Sequence, residues 1–317
     1  MHIVTGGAGF IGSNLVRELN AIGIKNILVV DNLKDSRKFR NLIGCQIHDY
    51  VDKEDFITVI RDMESPFANV EAIFHQGACT DTMEYDGKYM MHNNYTYSKS
   101  LLDYALRNRI KFVYASSAAT YGNGTKFAET FENEVPINVY GYSKYLFDQY
   151  VRAVLPHVEN TVVGLRYFNV YGPNEFHKDK MASVVYQFYK QLKETRGIKL
   201  FQGTGGYPDG GQKRDFIYVA DVARVNAWFL SKDIVKGIFN VGTGNAQSFN
   251  QIAHTLIKLE KYGEVSYVPF PNILEGKYQS FTQADISALR KAGYTASFMS
   301  LEEGIVQYHS LLNQTPN

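Results

Sequence analysis

The chain has 317 residues, 45% hydrophobic and 21% charged, the balance of a soluble globular protein and not of a disordered or fibrous one. Thirty-three basic against 32 acidic residues leave a net charge of +1, so neither nucleic acid nor an anionic membrane is expected as the main partner. Cys45 and Cys79 make no disulfide framework, no apolar run approaches the ~20 residues of a membrane helix, and no basic leader precedes the strand-like run at His2, so a cytoplasmic protein is expected.

The first thirty residues read as a strand–helix–strand unit. His2 to Thr5 is a short apolar strand, Gly6 to Gly12 a glycine-rich turn, and Ile11, Leu15 and Leu19 recur at the spacing of one helix face. Gly23 suits the left-handed position that closes such a helix. Ile27 to Val30 is apolar without interruption, as a parallel strand covered on both sides should be, and it ends at Asp31. Strands over 70–75 and 111–115, ending at Gln76-Gly77-Ala78 and Ser116-Ser117, and over 161–167 continue the pattern, with helices over 95–107 and 142–154 between them. This alternation predicts an α/β fold with a doubly wound parallel sheet whose strand carboxyl ends meet at one ligand-binding edge.

Beyond about Asn169 the texture changes, and the glycines of 203–211 predict an irregular loop. The runs Phe216 to Val219 and Ile238 to Val241 read as strands returning to the first sheet or near it. The division expected is a larger domain of 1–168 plus 213–243 and a smaller α/β lobe of 169–212 plus 244–317.

Gly6-x-x-Gly9-x-x-Gly12 lies between strand and helix, where glycines let the backbone approach a pyrophosphate and a helix N-terminus offers free N–H groups. Asp31, nineteen residues past Gly12, stands where a carboxylate reaches an adenosine ribose. A dinucleotide is therefore expected in the larger domain. Asp31 favours the 2′-hydroxyl of NAD. Lys34, Arg37, Lys38 and Arg40 form a cluster able to bind the 2′-phosphate of NADP, or simply a solvated loop. The residues alone leave the two cofactors evenly matched.

Tyr140 and Lys144 are four apart, on one face of a helix beginning here. A phenol with a pKa near 10 is a poor base at neutral pH, and a neighbouring ammonium lowers that value. Ser117, at the end of the preceding strand, can hydrogen-bond the substrate oxygen. Such a group removes a hydroxyl proton while hydride leaves the same carbon. The plain alternative is a surface pair in a chain with 23 tyrosines. His75, His92, His157, His177 and His254 have no metal-ligand spacing, so no metal is expected.

The motifs 5–12 (TGGAGFIG), 115–122 (ASSAATYG), Tyr140-x-x-x-Lys144 and 166–173 (RYFNVYGP) look like the extended short-chain dehydrogenase/reductase superfamily of nucleotide-sugar modifiers. More narrowly, the chain resembles the ADP-L-glycero-D-manno-heptose 6-epimerases almost end to end. The narrow signatures are 29–34 (VVDNLK), 86–91 (DGKYMM), 138–144 (NVYGYSK), His177-Lys178 ahead of 181–183 (MAS), and Tyr278-Gln279 ahead of 281–285 (FTQAD).

The resemblance implies a Rossmann sheet, a nucleotide-sugar-binding smaller lobe, and NADP as cofactor with NAD tolerated. It places Asp31, Asn32 and Lys38 at the adenosine end with Lys53 close by. Gly6, Gly9, Phe10, Ile11 and Gly12 hold the pyrophosphate. Gln76, Gly77, Ala78, Cys79, Thr80 and Asn93 follow toward the nicotinamide, with Lys144, Val170 and Lys178 beside it. It further implies two acid/base groups, Tyr140 on one face and Lys178 on the other, supported by Lys144 and Ser117. The reaction implied is inversion at carbon 6 of ADP-D-glycero-D-manno-heptose, through a ketone, as a step toward lipopolysaccharide core. Asn169, Lys180, Gln187, Phe201, Gln202, Gly203, Thr204, Arg214 and Tyr278 would line the sugar-nucleotide cleft with Ser117. A homo-oligomer, a pentamer, is also implied.

Lys180 and Gln187 stand where the family has a serine and a histidine, which leaves open whether Lys178 or Lys180 faces the sugar. Arg214 suits a diphosphate, or a turn pairing with Asp215 or Asp221. The stretch 205–212 is longer than the family's and suggests a flap. Two competing readings are a UDP-hexose 4-epimerase on the same scaffold and a dinucleotide-sensing regulator without chemistry. Ala118-Ala119 after Ser117 argue against a dehydratase, which wants Asp-Glu there.

Overall fold

The structure is a computed structural model that describes residues 1–62, 67–271 and 278–314, so 272–277 and 315–317 of the expected smaller lobe lie outside the described residues. Its strands are, in chain order, β1 (His2–Thr5), β2 (Ile27–Asp31), β3 (Asp49–Asp52), β4 (Ala72–His75), β5 (Lys111–Ser117), β6 (Val162–Tyr167), β7 (Asn169–Tyr171), β8 (Gly197–Phe201), β9 (Lys213–Tyr218), β10 (Lys236–Val241), β11 (Ala246–Ser248) and β12 (Glu264–Val268). Seven form one sheet in the order β10-β6-β5-β4-β1-β2-β3. Every pairing in it is parallel. This is the doubly wound α/β fold read from the sequence.

The strand period of two explains how the sheet is clad on both faces. Val4, Val29 and Phe74 face a core that includes Leu15, Val16 and Leu19 of the helix Phe10–Ala21. Ile3, Leu28, Val30 and Ile73 face the opposite core, with Phe56, Leu101, Leu102, Phe147 and Val151. Gly23 follows the first helix at φ +90°, the left-handed closure expected. The helix read from 95 begins at Tyr97, after a π-helical turn over Met91–Thr96. The helix read from 142 begins at Val139 because the Asn138 side chain caps it, accepting from Gly141 N–H at 2.8 Å.

The two strands expected to return to the first sheet or near it take one of these places each. Ile238 to Val241 does join the large sheet, as β10 against β6. Phe216 to Tyr218 does not: β9 pairs in parallel with β7 and antiparallel with β11 in a separate three-stranded sheet. Its two faces serve two cores, which is why it can leave the large sheet without exposing an edge face. Ile217 packs into the core under the first helix, while Phe216 and Tyr218 pack into a third core with Phe188, Leu192, Leu200, Ile252 and Ile305. β8 and β12 form a two-stranded parallel pair. No helix of the described residues is long and apolar enough to cross a membrane.

His75 closes β4 with its ring buried, 2.6 Å from Thr5 Oγ1 and 2.7 Å from Ser98 Oγ. Burial, with the nearby Lys144 charge, pulls its pKa down from 6.5 to about 3. The unfolded chain therefore binds a proton there that the folded chain does not between those values. The stabilisation is whole above pH 6.5 and is lost as pH falls toward 3, by up to about 1.4 kcal/mol per unit. Denaturant midpoints at pH 7 and pH 5 are expected to differ less in His75→Gln than in the native chain.

Candidate active site

The carboxyl ends of β1, β2 and β4 border a cleft of about 420 Å³. Its wall holds Gly6, Gly9, Phe10, Ile11, Gly12, Asp31, Asn32, Lys38, Lys53, Gln76, Gly77, Ala78, Cys79, Thr80, Asn93 and Lys178, so the sequence-expected cofactor residues converge here apart from Lys144 and Val170. Val170 instead packs against the core under the first helix.

The glycine turn is built for close backbone approach. A Cβ on Gly12 would meet Gly6 O at 2.1 Å, and one on Gly6, whose φ is +66°, would meet Gly77 Cα at 2.6 Å. Asp31 anchors the turn by accepting from Ala8 N–H at 2.8 Å. Its other oxygen accepts from Lys38 Nζ at 2.6 Å, and Lys38 also donates to Asn32 Oδ1 at 3.3 Å. Lys53 Nζ donates to Asn93 Oδ1 at 2.7 Å. These features fit a dinucleotide laid across the strand ends with its pyrophosphate on the helix N-terminus. Of the basic cluster after Asp31, only Lys38 lines the cleft.

Tyr140 and Ser117 share a side-chain hydrogen bond, and Cys79 of the cleft wall lies beside them. Ser117 also accepts from Ala119 N–H at 3.1 Å, which fixes its hydroxyl at the end of β5. The electrostatic expectation for the phenol is corrected here. Burial pushes the Tyr140 pKa up, the Ser117 hydrogen bond only partly offsets this, and the lysine contributes no lowering. The reason is placement: Lys144 is buried and its Nζ donates to Ala115 O at 2.8 Å. Burial brings Lys144 itself down to about 8, against the raising effect of Asp148.

Lys178 lies in the cleft wall with Nζ 5.7 Å from the centre of the Phe10 ring. Burial lowers its pKa, with Glu175 pulling the other way. Lys180 is exposed and outside that wall. Gln187 donates through Nε2 to Asp179 O at 2.6 Å, so it braces this loop.

On the smaller lobe, Arg214 is buried, only 7% exposed, with its guanidinium 4.8 Å from the Tyr278 ring and 5.7 Å from that of Phe249. Burial lowers its pKa. It pairs with neither Asp215 nor Asp221: Asp215 holds Thr243, Gly244 and Ala284, and Asp221 holds Arg224 and Met299 N–H. Phe201 lies edge-on to Tyr278, ring centres 6.4 Å apart. Asn169, on β7, meets Thr282 at 3.4 Å. Gln202, Gly203 and Thr204 enter the glycine-rich loop, which is tied down: Gly203 N–H donates to Asp209 Oδ1 at 2.8 Å, Gly210 N–H to Phe201 O at 2.9 Å, and Asn250 Nδ2 to Asp209 O at 2.7 Å.

Residues 2–242 match the NAD dependent epimerase/dehydratase family. The chain belongs to that family. Helicobacter pylori ADP-L-glycero-D-manno-heptose-6-epimerase is 34% identical with a TM-score of 0.84, covering 99% of this chain and 96% of its own. Thermus thermophilus UDP-glucose 4-epimerase, solved with NAD, is 27% identical with a TM-score of 0.80 over 100% of both chains. Thermotoga maritima UDP-glucose 4-epimerase, solved with UDP-glucose, is 29% identical with a TM-score of 0.78 over 99% of this chain and 100% of its own. The resemblance read from the motifs is thereby borne out. As a member of the epimerase/dehydratase family, the protein is an enzyme that uses a nicotinamide dinucleotide.

Sequence reasoning passed over several residues of the site. Tyr89 and Tyr97 line the cleft, and Tyr89 hydrogen-bonds Cys79. Buried Asn94 accepts from Cys79 N–H at 2.8 Å and donates to Cys79 O at 2.8 Å and Ser143 Oγ at 3.1 Å, locking the loop after β4 to the helix of Tyr140. The only sequence signal for Asn94 was its place beside Asn93, on a helical turn whose π pitch no periodicity announced.

Proposed function

We propose that this family member inverts carbon 6 of ADP-D-glycero-D-manno-heptose to give ADP-L-glycero-D-manno-heptose, using NADP with NAD tolerated. The observation that carries this reading is a second amine, Lys178, in the wall of the cleft that also holds Cys79, the neighbour of Tyr140. A carbinol inverted through a ketone is served most directly by one proton-transferring group on each face. The 34% identity to an ADP-heptose epimerase over 99% of the chain supports the same substrate. In this reading 1–168 plus 213–243 hold the dinucleotide, 169–212 plus 244–317 hold the nucleotide sugar, and the enzyme works in the cytoplasm as a homo-oligomer toward lipopolysaccharide core.

The bound dinucleotide supplies a reversible hydride acceptor at the carbinol carbon. Tyr140 serves the carbinol oxygen on one face, with Ser117 holding the same oxygen. Because burial keeps the phenol protonated, its stronger role is that of acid toward the ketone oxygen. Lys178, its pKa lowered by the same cause, exchanges a proton on the opposite face. Lys144, its Nζ on Ala115 O at the end of β5, would help hold the cofactor. Arg214, buried against Tyr278, offers its fork to the substrate diphosphate. Lys38, neutralising Asp31 at 2.6 Å, is the cation at hand for a 2′-phosphate.

The test is NMR of ADP-D-glycero-D-manno-heptose and, separately, UDP-galactose incubated with the NADP-loaded enzyme. Appearance of the L-glycero epimer is expected. Turnover of UDP-galactose alone would make it a UDP-hexose 4-epimerase, and cofactor binding without turnover of either would make it a sensor. NADP is expected to bind tighter than NAD, and Lys38→Ala is expected to erase that difference. Tighter NAD binding, unchanged by Lys38→Ala, would overturn the cofactor assignment.

A further inference from the structure

The loop carrying Lys178 has an unusual backbone. Asp179, the next residue, sits at φ +46° and ψ −115°, a region that L-residues with side chains rarely occupy. Such a conformation persists only where surrounding contacts over-determine it. Here the contacts come from 142 residues away. Arg37 Nη1 donates to Asp179 Oδ1 at 2.9 Å and Nη2 to Asp179 Oδ2 at 2.7 Å, a bidentate fork. Nη2 also donates to His177 O at 3.1 Å. The other edge of the same guanidinium is held by Asp35, with Nε–Oδ1 at 3.0 Å and Nη2–Oδ2 at 2.8 Å. A single exposed ion pair contributes little, but here five bonds from one guanidinium join Asp35 to the residues on both sides of Lys178. The Gln187 amide on Asp179 O and the Asn41 amide, 3.3 Å from His177 Nδ1, add to the hold.

We infer that Arg37 is a positioning residue: through its fork on Asp179 and its bond to His177 O it fixes the strained turn that directs Lys178 into the cofactor cleft. The cation that sequence reading offered to a 2′-phosphate serves instead to tie the adenosine-end loop to the loop of the second proton-transferring group. Lys38 is left as the cleft-lining cation of that segment. This inference rests on the assignment of Lys178 to one face of the reaction.

The test uses the NADP-loaded enzyme and each purified epimer of ADP-glycero-manno-heptose in turn, following cofactor reduction at 340 nm in single turnovers. Arg37→Ala and Asp179→Ala are expected to slow, at least tenfold, the reaction of the epimer served by Lys178, and to leave the epimer served by Tyr140 within about twofold. Asp179→Gly is expected to retain most of the rate, because glycine adopts the turn without strain. Hydrogen exchange at the Ala182 amide, which donates to Asp179 O at 3.2 Å, is expected to accelerate in Arg37→Ala. Equal slowing of both epimers, or unchanged exchange at Ala182, would overturn the positioning role. The Lys178→Met variant separates the two readings. If it affects neither epimer selectively, the assignment of Lys178 fails; if it slows one epimer and Arg37→Ala does not, only the role of Arg37 fails.

Discussion

Tyr140→Phe is expected to lower the rate of inversion by about 10³-fold, within the 10²–10⁴ range that a single positioned acid or base contributes. Phenylalanine keeps the ring, and the helix that begins at Val139 keeps its Asn138 cap, so folding and cofactor affinity are expected to stay near native. What disappears is the hydroxyl that hydrogen-bonds Ser117. The comparison needs two measurements on the same preparation: inversion followed by NMR, and dinucleotide binding followed by fluorescence. Inversion within tenfold of native would remove Tyr140 from the chemistry. The pH dependence gives a second check. Because burial raises the phenol's pKa, the group stays protonated through neutral pH. Reduction of an added ketone analogue should then hold steady from pH 6 to 8, where a phenolate mechanism would show it falling.

Lys178→Met is the second large effect expected, a loss of about 10²–10³ in inversion with exchange of the carbon-6 hydrogen persisting through Tyr140. Methionine matches the length of the lysine stem and can keep the contact with Phe10. Lys180→Met is the control, and because Lys180 is exposed outside the cleft wall it is expected to stay within twofold of native. Greater damage from Lys180→Met than from Lys178→Met would reverse the assignment. Deuterium wash-in at carbon 6 from deuterated cofactor, measured beside epimer composition, distinguishes loss of one proton-transferring group from loss of all turnover.

The parts of this molecule that the sequence announced are the local ones. Gly6, Gly9 and Gly12, the strand before them, the helix after them and Asp31 all lie within thirty-one residues, and each is dictated by backbone sterics or by a period of 2 or 3.6. Tyr140 and Lys144 share a helix face for the same reason. What stayed hidden depends on partners far away in the chain. The run Phe216 to Tyr218 reads alike whether it adds to the large sheet or pairs with β7, since both of its faces are buried. Lys178 and Lys180 could not be ranked because the turn between them takes a left-handed residue that no glycine marks. Arg37 looked like one cation among four until the fold placed Asp179 against it. The direction of the Tyr140 shift depended on where Lys144 Nζ ends up, and it ends up on a carbonyl of β5.

The last strand of the large sheet, β10, is separated from its neighbour β6 by the whole of β7, β8 and β9. During synthesis the first 168 residues emerge with β6 as an unpaired edge, and without Val222, Val225 and Phe229, which belong to the core under the first helix. A nascent chain paused there presents an open hydrogen-bonding ladder and an uncovered apolar face, the two features that invite association with other chains. The dinucleotide cradle, though written in the opening residues, therefore waits for translation to pass Val241 for the last strand of its sheet and Tyr294 for the last buried residue of the core beneath it. A fragment cut at 168 is expected to express as insoluble material, whatever its affinity for the cofactor.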